Sequence, residues 1–189
     1  MSASRPAPAV ATASPRESDA PARLAPAYDL IELFFFAYRD FVSDPDRILV
    51  EYGFGRAHHR VLHFVARQPG LTIAELLDVL KITKQSLNRV LKELIEKGFV
   101  ESRMGTTDRR QRLLHATPQG CDLALRLAEI QSTRIARAIE GAASGVDAQA
   151  MRDCVTRFLL RMVDEEERAV VHALASTPPR RNDSSATGE

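Results

Sequence analysis

Six polar side chains crowd into nine residues of this chain: Lys84, Gln85, Ser86, Asn88, Arg89 and Lys92. Side chains of these types can hydrogen-bond base edges and phosphates, so their chemistry is that of reading a nucleic acid. A second cluster, Asp108-Arg109-Arg110, lies in the polar run 104–111, among turn-forming and small residues. Arginines at the tip of a hairpin can reach a minor groove, where negative potential is concentrated. The plain alternative for both clusters is a solvated basic surface, and the decision rests on the elements that carry them.

Other chemistry is weaker. His59 and His63 stand four residues apart beside His58 and could share a metal ion, but the spacing supplies no third ligand. Half-buried helix residues that hydrogen-bond locally are the preferred reading. Cys121 and Cys154 are too few for a disulfide framework, lack metal spacing, and read as two small buried hydrophobes. Phe34-Phe35-Phe36 could line an effector pocket, although such a cluster usually belongs to a core. There is no G-x-S-x-G elbow, no Gly-rich phosphate loop and no evident nucleophile–base pair, so catalysis is the runner-up from another class.

The polar residues at 84–92 share their segment with Leu87, Val90, Leu91, Leu94 and Ile95, at i, i+3, i+4, i+7 and i+8. That spacing predicts a helix with one buried face, capped by Thr83 at its start and ended at Gly98. Just before it, Thr72-Ile73-Ala74-Glu75 forms a capping box opening a short helix with Leu76, Leu77 and Leu80 on its apolar side. Lys81-Ile82 leaves room only for a tight connection. Two short helices so joined, the second polar on its free face, make a helix-turn-helix. Residues 55–68, with Val61, Leu62, Phe64 and Val65, predict another helix with one buried face, stopped by Pro69-Gly70. Residues 99–103 and 112–116 read as two strands flanking the arginine tip, and Thr117-Pro118 opens another helix with Pro at its first position.

Charge follows the same division. The 189 residues carry a formal net charge of +1, yet residues 81–120 hold nine basic against four acidic side chains. Residues 28–54 and 147–175 are acidic, so a polyanion would dock on the middle of the chain. Five of the ten prolines fall in the first 26 residues, and Pro178-Pro179 opens a polar tail; both ends predict disorder. The N-terminal stretch lacks the apolar core of a secretory signal, and no apolar run is long enough for a membrane span. A cytoplasmic protein is the default expectation.

Residues 71–120, with Asp108-Arg109-Arg110 followed by Leu114 and then Thr117-Pro118-x-Gly120, resemble the MarR family of winged-helix transcriptional regulators. The runs Gly55-Arg56-Ala57-His58-His59-Arg60-Val61-Leu62 and Ile82-Thr83-Lys84-Gln85-Ser86-Leu87 look similar to its PetP-like branch. The resemblance implies a homodimer with interlocked terminal helices, and in many members a small-molecule or redox input. It also implies that Asp108 orients Arg110 and that Arg110 enters the minor groove. Peroxide-sensing members keep a cysteine in the first helix, where residues 28–43 have none. Ala116 stands where a bulkier aliphatic residue is usual, which implies looser packing of the last wing strand.

The flanks point independently to a second copy. Leu30, Leu33, Phe34, Ala37 and Phe41 repeat at helical spacing, as do Met151, Val155, Phe158, Leu159, Met162 and Val163. Each stripe is too long and too aromatic for one helix to satisfy, and together they could form an interlocked dimer layer. The alternative is a monomer in which each packs on its own winged helix. The expected fold is therefore mainly α with a small two-stranded β-wing. A disordered tail at 1–27 and a dimerisation helix region at 28–54 would precede a winged helix-turn-helix at 55–117, dimerisation helices at 118–175 and a second tail at 176–189. The expected function is sequence-specific binding of double-stranded DNA as a homodimer on a pseudo-palindromic operator, modulated by a small-molecule effector, without cofactor or metal. The other binding class, a winged helix serving protein interaction, would need apolar anchors on the free face in place of Lys, Gln, Asn and Arg.

Overall fold

The computed structural model of the protein describes residues 25–105 and 111–176. The two tails beyond these limits, and Asp108, Arg109 and Arg110 with them, lie outside the described residues. The chain runs α1 (Tyr28–Glu51), α2 (Arg56–Arg67), β1 (Leu71–Thr72), α3 (Ile73–Leu80), α4 (Lys84–Glu96), β2 (Val100–Met104), β3 (Arg112–Ala116), α5 (Pro118–Ala142), α6 (Ala148–Met162) and α7 (Glu165–Ser176).

One core holds the middle of the chain together. Val61, Leu62 and Val65 of α2, Leu76 and Leu80 of α3, and Leu87, Val90, Leu91 and Leu94 of α4 meet Val100, Leu114, Leu123 and Leu127 in it. Each fully buried Leu or Val contributes about 1.5–3 kcal/mol relative to exposure, so this contact fixes how the helices cross. Ile95, at the end of the expected stripe, lies outside the core at 41% exposed. Eight residues beyond Leu87 the helix has turned about 80° from it, which carries that side chain off the buried face. Ala116 is buried, paired with Val100 across the β2–β3 ladder.

The sheet has three strands in the order β1-β3-β2, one more than the sequence suggests. Its added strand is two residues long, with Leu71 opposite Leu114 and Thr72 opposite Leu113. Thr72 ends that strand and also caps α3, accepting from the Glu75 amide at 3.2 Å while the Glu75 carboxylate accepts the Thr72 amide at 2.8 Å. The Thr72 amide and hydroxyl, both donating to it, hold the Glu75 carboxyl below the usual carboxylate range.

Helix α1 is longer than its buried part. It continues through Pro45, whose missing N–H costs one helical hydrogen bond, and buries Val42, Pro45, Ile48 and Leu49 in its second half. Asp44 there accepts two hydrogen bonds from Arg134 of α5, at 2.6 and 3.0 Å. The first half of α1 packs on little. Leu33 is 62% and Phe35 70% exposed, and Phe34 and Phe36 are exposed too, so the triple Phe run is no core of this chain. On α6, Val155, Phe158, Leu159 and Met162 are exposed, and Phe158 stacks on Phe34 with ring centroids 5.9 Å apart. Neither stripe is spent on its own winged helix.

Candidate nucleic-acid interface

The free face of α4 forms because the apolar face is anchored. With Leu87, Val90, Leu91 and Leu94 held in the core, Lys84, Gln85, Ser86, Asn88, Arg89 and Lys92 are left exposed, as their spacing requires. Gln85, Asn88, Arg89 and Lys92 fall at i, i+3, i+4 and i+7, one continuous stripe. The start of the helix is set by Thr83, whose hydroxyl oxygen accepts from the Ser86 amide at 3.2 Å. The Ser86 hydroxyl lies 3.0 Å from that of Thr83, so Ser86 is occupied by the cap. Lys92 pairs with Glu96 at 3.7 Å, one turn along. Lys84, Gln85, Asn88 and Arg89 have no side-chain partner among the described residues, and their donors and acceptors face solvent.

The turn ahead of α4 is tight because Lys81 takes a left-handed conformation, φ 51° and ψ 46°. A non-glycine residue there carries a cost of about 1–2 kcal/mol, which the packed helices on both sides sustain. Its ammonium lies 3.0 Å from the Glu167 carboxylate of α7, which holds the Lys81 pKa above its ordinary value.

Behind α4, a set of residues holds the helix in place, and of them the sequence singled out only His58, for a different role. The His58 ring accepts the Gly55 amide at Nδ1, 3.1 Å away, so its proton sits on Nε2. That nitrogen donates to Glu93 of α4 at 2.9 Å. Lys97, at the end of α4, donates to the Tyr52 carbonyl at 2.7 Å and lies 4.7 Å from the Phe54 ring centroid. The Phe54 ring also stacks on His58 at 4.7 Å. Glu93 and Lys97 are thus positioning residues. Their four-residue spacing was visible in sequence, but their partners lie 35 and 45 residues away.

The wing rises beside this face. Strands β2 and β3 pair from Val100 with Ala116 to Met104 with Arg112, and the Gly105 amide donates to the Gln111 carbonyl at 3.0 Å. The pairing therefore carries the hairpin up to residues 106–110, where the expected Asp108-Arg109-Arg110 tip falls. Below it Arg103 is exposed and paired with Glu101, and Arg112 is exposed.

The remaining candidates separate. All three histidines are half-buried on α2, as expected of satisfied helix residues. The His59 and His63 ring centroids are 6.5 Å apart, and among the described residues no three His, Cys, Asp or Glu side chains could hold a metal ion together. Burial lowers the His63 pKa to about 4, with the neighbouring His59 and Arg67 acting in the same direction. Cys121 is part-buried beside the core, but Cys154 is exposed on α6, against the expectation of two buried hydrophobes. The α6 helix presents that position outward, which the spacing of its apolar residues alone did not reveal.

The His63 shift has a measurable consequence. Its folded pKa of about 4 lies below the ordinary 6.5, so the unfolded chain binds a proton that the folded chain refuses. The neutral ring's contribution is complete above pH ~6.5 and is lost as pH falls toward ~4. Denaturant unfolding of wild type and His63→Gln should show wild type losing about 3 kcal/mol more across that window. Parallel pH profiles for the two proteins would refute the assignment.

Comparison with known proteins agrees with this geometry. The profile of the MarR family matches residues 52–111. The chain is 48% identical over 143 residues to the HTH-type transcriptional regulator PetP of Rhodobacter capsulatus, covering 72% of this chain and 86% of PetP. A MarR transcriptional regulator from Methanosarcina mazei shares the fold with a TM-score of 0.58 at 21% identity, covering 79% of this chain and 95% of that one. A SlyA-like regulator from Listeria monocytogenes does so with a TM-score of 0.58 at 18% identity, covering 84% and 98%. A helix-turn-helix with an outward polar stripe, a hairpin beside it and an identity that spans most of PetP occur together in one chain, which belongs to the MarR family of transcriptional regulators.

Proposed function

We propose that the protein is a sequence-specific, double-stranded-DNA-binding regulator that acts as a homodimer on a pseudo-palindromic operator, and that a small molecule modulates it. The observation that carries this reading is the exposed stripe of α4, in which Gln85, Asn88 and Arg89 have no side-chain partner among the described residues and project from a helix anchored in the core. Such groups read base edges in a major groove, while Lys84 and Lys92 suit phosphates. Asp108, Arg109 and Arg110 complete the surface as the wing tip, with Asp108 holding the Arg110 guanidinium for the minor groove by a charge-assisted hydrogen bond.

Dimerisation is supported by the uncovered stripes of α1 and α6. Contiguous exposed aromatic and aliphatic side chains on two adjacent helices are a surface that water leaves unsatisfied, and a second copy presents the same stripes by symmetry. Two α4 helices related by a two-fold axis would then read two half-sites about one helical turn of DNA apart.

Substitution on the two parts of α4 tests the reading. Asn88→Ala is expected to cost about 1–3 kcal/mol on the best operator and little on random DNA. Lys92→Ala should weaken both alike, less than a free lysine would, since Glu96 already shares its charge. Fluorescence-anisotropy titrations of the two variants against the two DNAs measure this. Equal losses everywhere would show that α4 does not meet bases in this register.

A further inference from the structure

An open groove of about 480 Å³ runs between α2, α3 and α7, with Phe64, Val79, Val171 and Leu174 among its apolar walls. Its two ends differ in charge. Arg67 stands at one end, donating to the Leu174 carbonyl at 3.2 Å. At the other, Lys81 is paired with Glu167 at 3.0 Å, and Asp78 acts on Lys81 in the same direction as Glu167. The carboxylates of Asp78 and Glu166 line that end of the groove, are exposed, and make no side-chain hydrogen bond or ion pair among the described residues. Apolar walls with two uncommitted carboxylates at one end suit an apolar segment followed by positive charge.

Such a segment follows α7 directly. Helix α7 ends at Ser176, next to Ala175 of the groove wall, and the sequence continues Thr177-Pro178-Pro179-Arg180-Arg181. No other stretch of the chain outside the described residues sets two adjacent prolines beside two arginines. Pro178 has no N–H with which to extend the helix and disfavours helical backbone at Thr177, so the sequence directs the chain off the α7 axis there. Residues 177–181 span about 15 Å as polyproline II, and α7 rises about 14 Å between Ala175 and Glu166. The segment is therefore long enough to return along α7 to the acidic end. A proline pair loses little ordering entropy in a groove because polyproline II is already extended, and the tether supplies it at a high effective concentration. We propose that residues 177–181 of this chain dock in the groove, with Pro178 and Pro179 on its apolar walls and Arg180 and Arg181 on Asp78 and Glu166. The proposal stands independently of the DNA-binding reading.

The test is ¹⁵N relaxation on the full chain, read at the Arg180 and Arg181 amides against those of residues 185–189. Docking predicts order parameters approaching the roughly 0.85 of rigid backbone at the two arginines, and values below about 0.6 in the last residues. Asp78→Lys with Glu166→Lys should lower both arginines below about 0.6, in a chain that circular dichroism shows to be folded, since both positions are exposed. Arg180→Glu with Arg181→Glu, beyond the last helix, should do the same. Combining all four substitutions should restore the order, because both signs are then reversed, and a general loss of packing cannot produce that recovery. Arginine amides as mobile in the wild type as residues 185–189 would overturn the proposal and leave the groove to a separate molecule. Order that survives either charge reversal, or that the combined variant fails to recover, would overturn the pairing with Asp78 and Glu166.

Discussion

Gly120→Ala is expected to lower folding stability by about 3 kcal/mol or more, at the upper end of what overpacking a close-packed contact costs. A methyl group on Gly120 would lie 2.0 Å from the Phe99 carbonyl oxygen and 3.0 Å from its carbon. Both are backbone atoms, so no side chain can rotate out of the way. The Phe99 carbonyl is itself held, accepting the Thr117 amide at 3.1 Å, while the Thr117 hydroxyl donates to the Gly98 carbonyl at 2.6 Å. Thr117 also caps α5 by accepting the Gly120 amide at 3.1 Å. Relief of the clash would break the junction that seats α5 against the end of α4 and the start of β2. The same helix provides a control. Gly141 has nothing within 4 Å of where its Cβ would be, so Gly141→Ala should stabilise by up to about 1 kcal/mol. Guanidinium unfolding of the two variants measures both effects. A loss below about 1 kcal/mol for Gly120→Ala, the size of an ordinary substitution, would show that this junction yields freely.

Affinity for operator DNA is expected to fall by about 10³–10⁵-fold between roughly 50 and 200 mM salt. The exposed cations of one chain near the proposed surface are Lys84, Arg89 and Lys92 on α4 and Arg103 and Arg112 on the wing strands; the proposal adds Arg109 and Arg110, which lie outside the described residues. Two of the seven are shared with an acid, Lys92 with Glu96 and Arg103 with Glu101, which reduces their claim on a phosphate. A dimer then neutralises on the order of eight to ten phosphates, and the plot of log K against log salt has a slope of about −0.9 for each. Titrations at four or more salt concentrations give the slope directly. A flat response would remove the nucleic-acid reading, because the net charge of +1 on the whole chain cannot produce a steep one without a localised basic surface.

The local features were legible because they are set by neighbours in the chain. The Thr72–Glu75 capping box, the Thr83 and Thr117 caps and the glycine ending α4 depend on residues within one helical turn, and all stand where the sequence placed them. The buried stripe of α4 follows from a 3.6-residue period, and its polar counterpart follows in turn. The Asp108-Arg109-Arg110 motif lies outside the described residues, so its role remains the proposal made above.

Contacts between distant segments were settled only by the fold. Strand β1 was missed because two residues carry no period, and it exists because β3 offers them a ladder. The His58–Glu93 and Lys97–Tyr52 hydrogen bonds join residues 35 and 45 apart, and nothing local marks one partner for the other. The Phe34-Phe35-Phe36 run shows the division most plainly. Its hydrophobicity was certain from the sequence, but whether it faces a core, a pocket or a second chain depends on which surfaces approach it. Within one chain it stays exposed. Periodicity determines which side of an element is apolar; only the packing of remote elements determines what that side meets, because burial is a property of the approach and not of the residue.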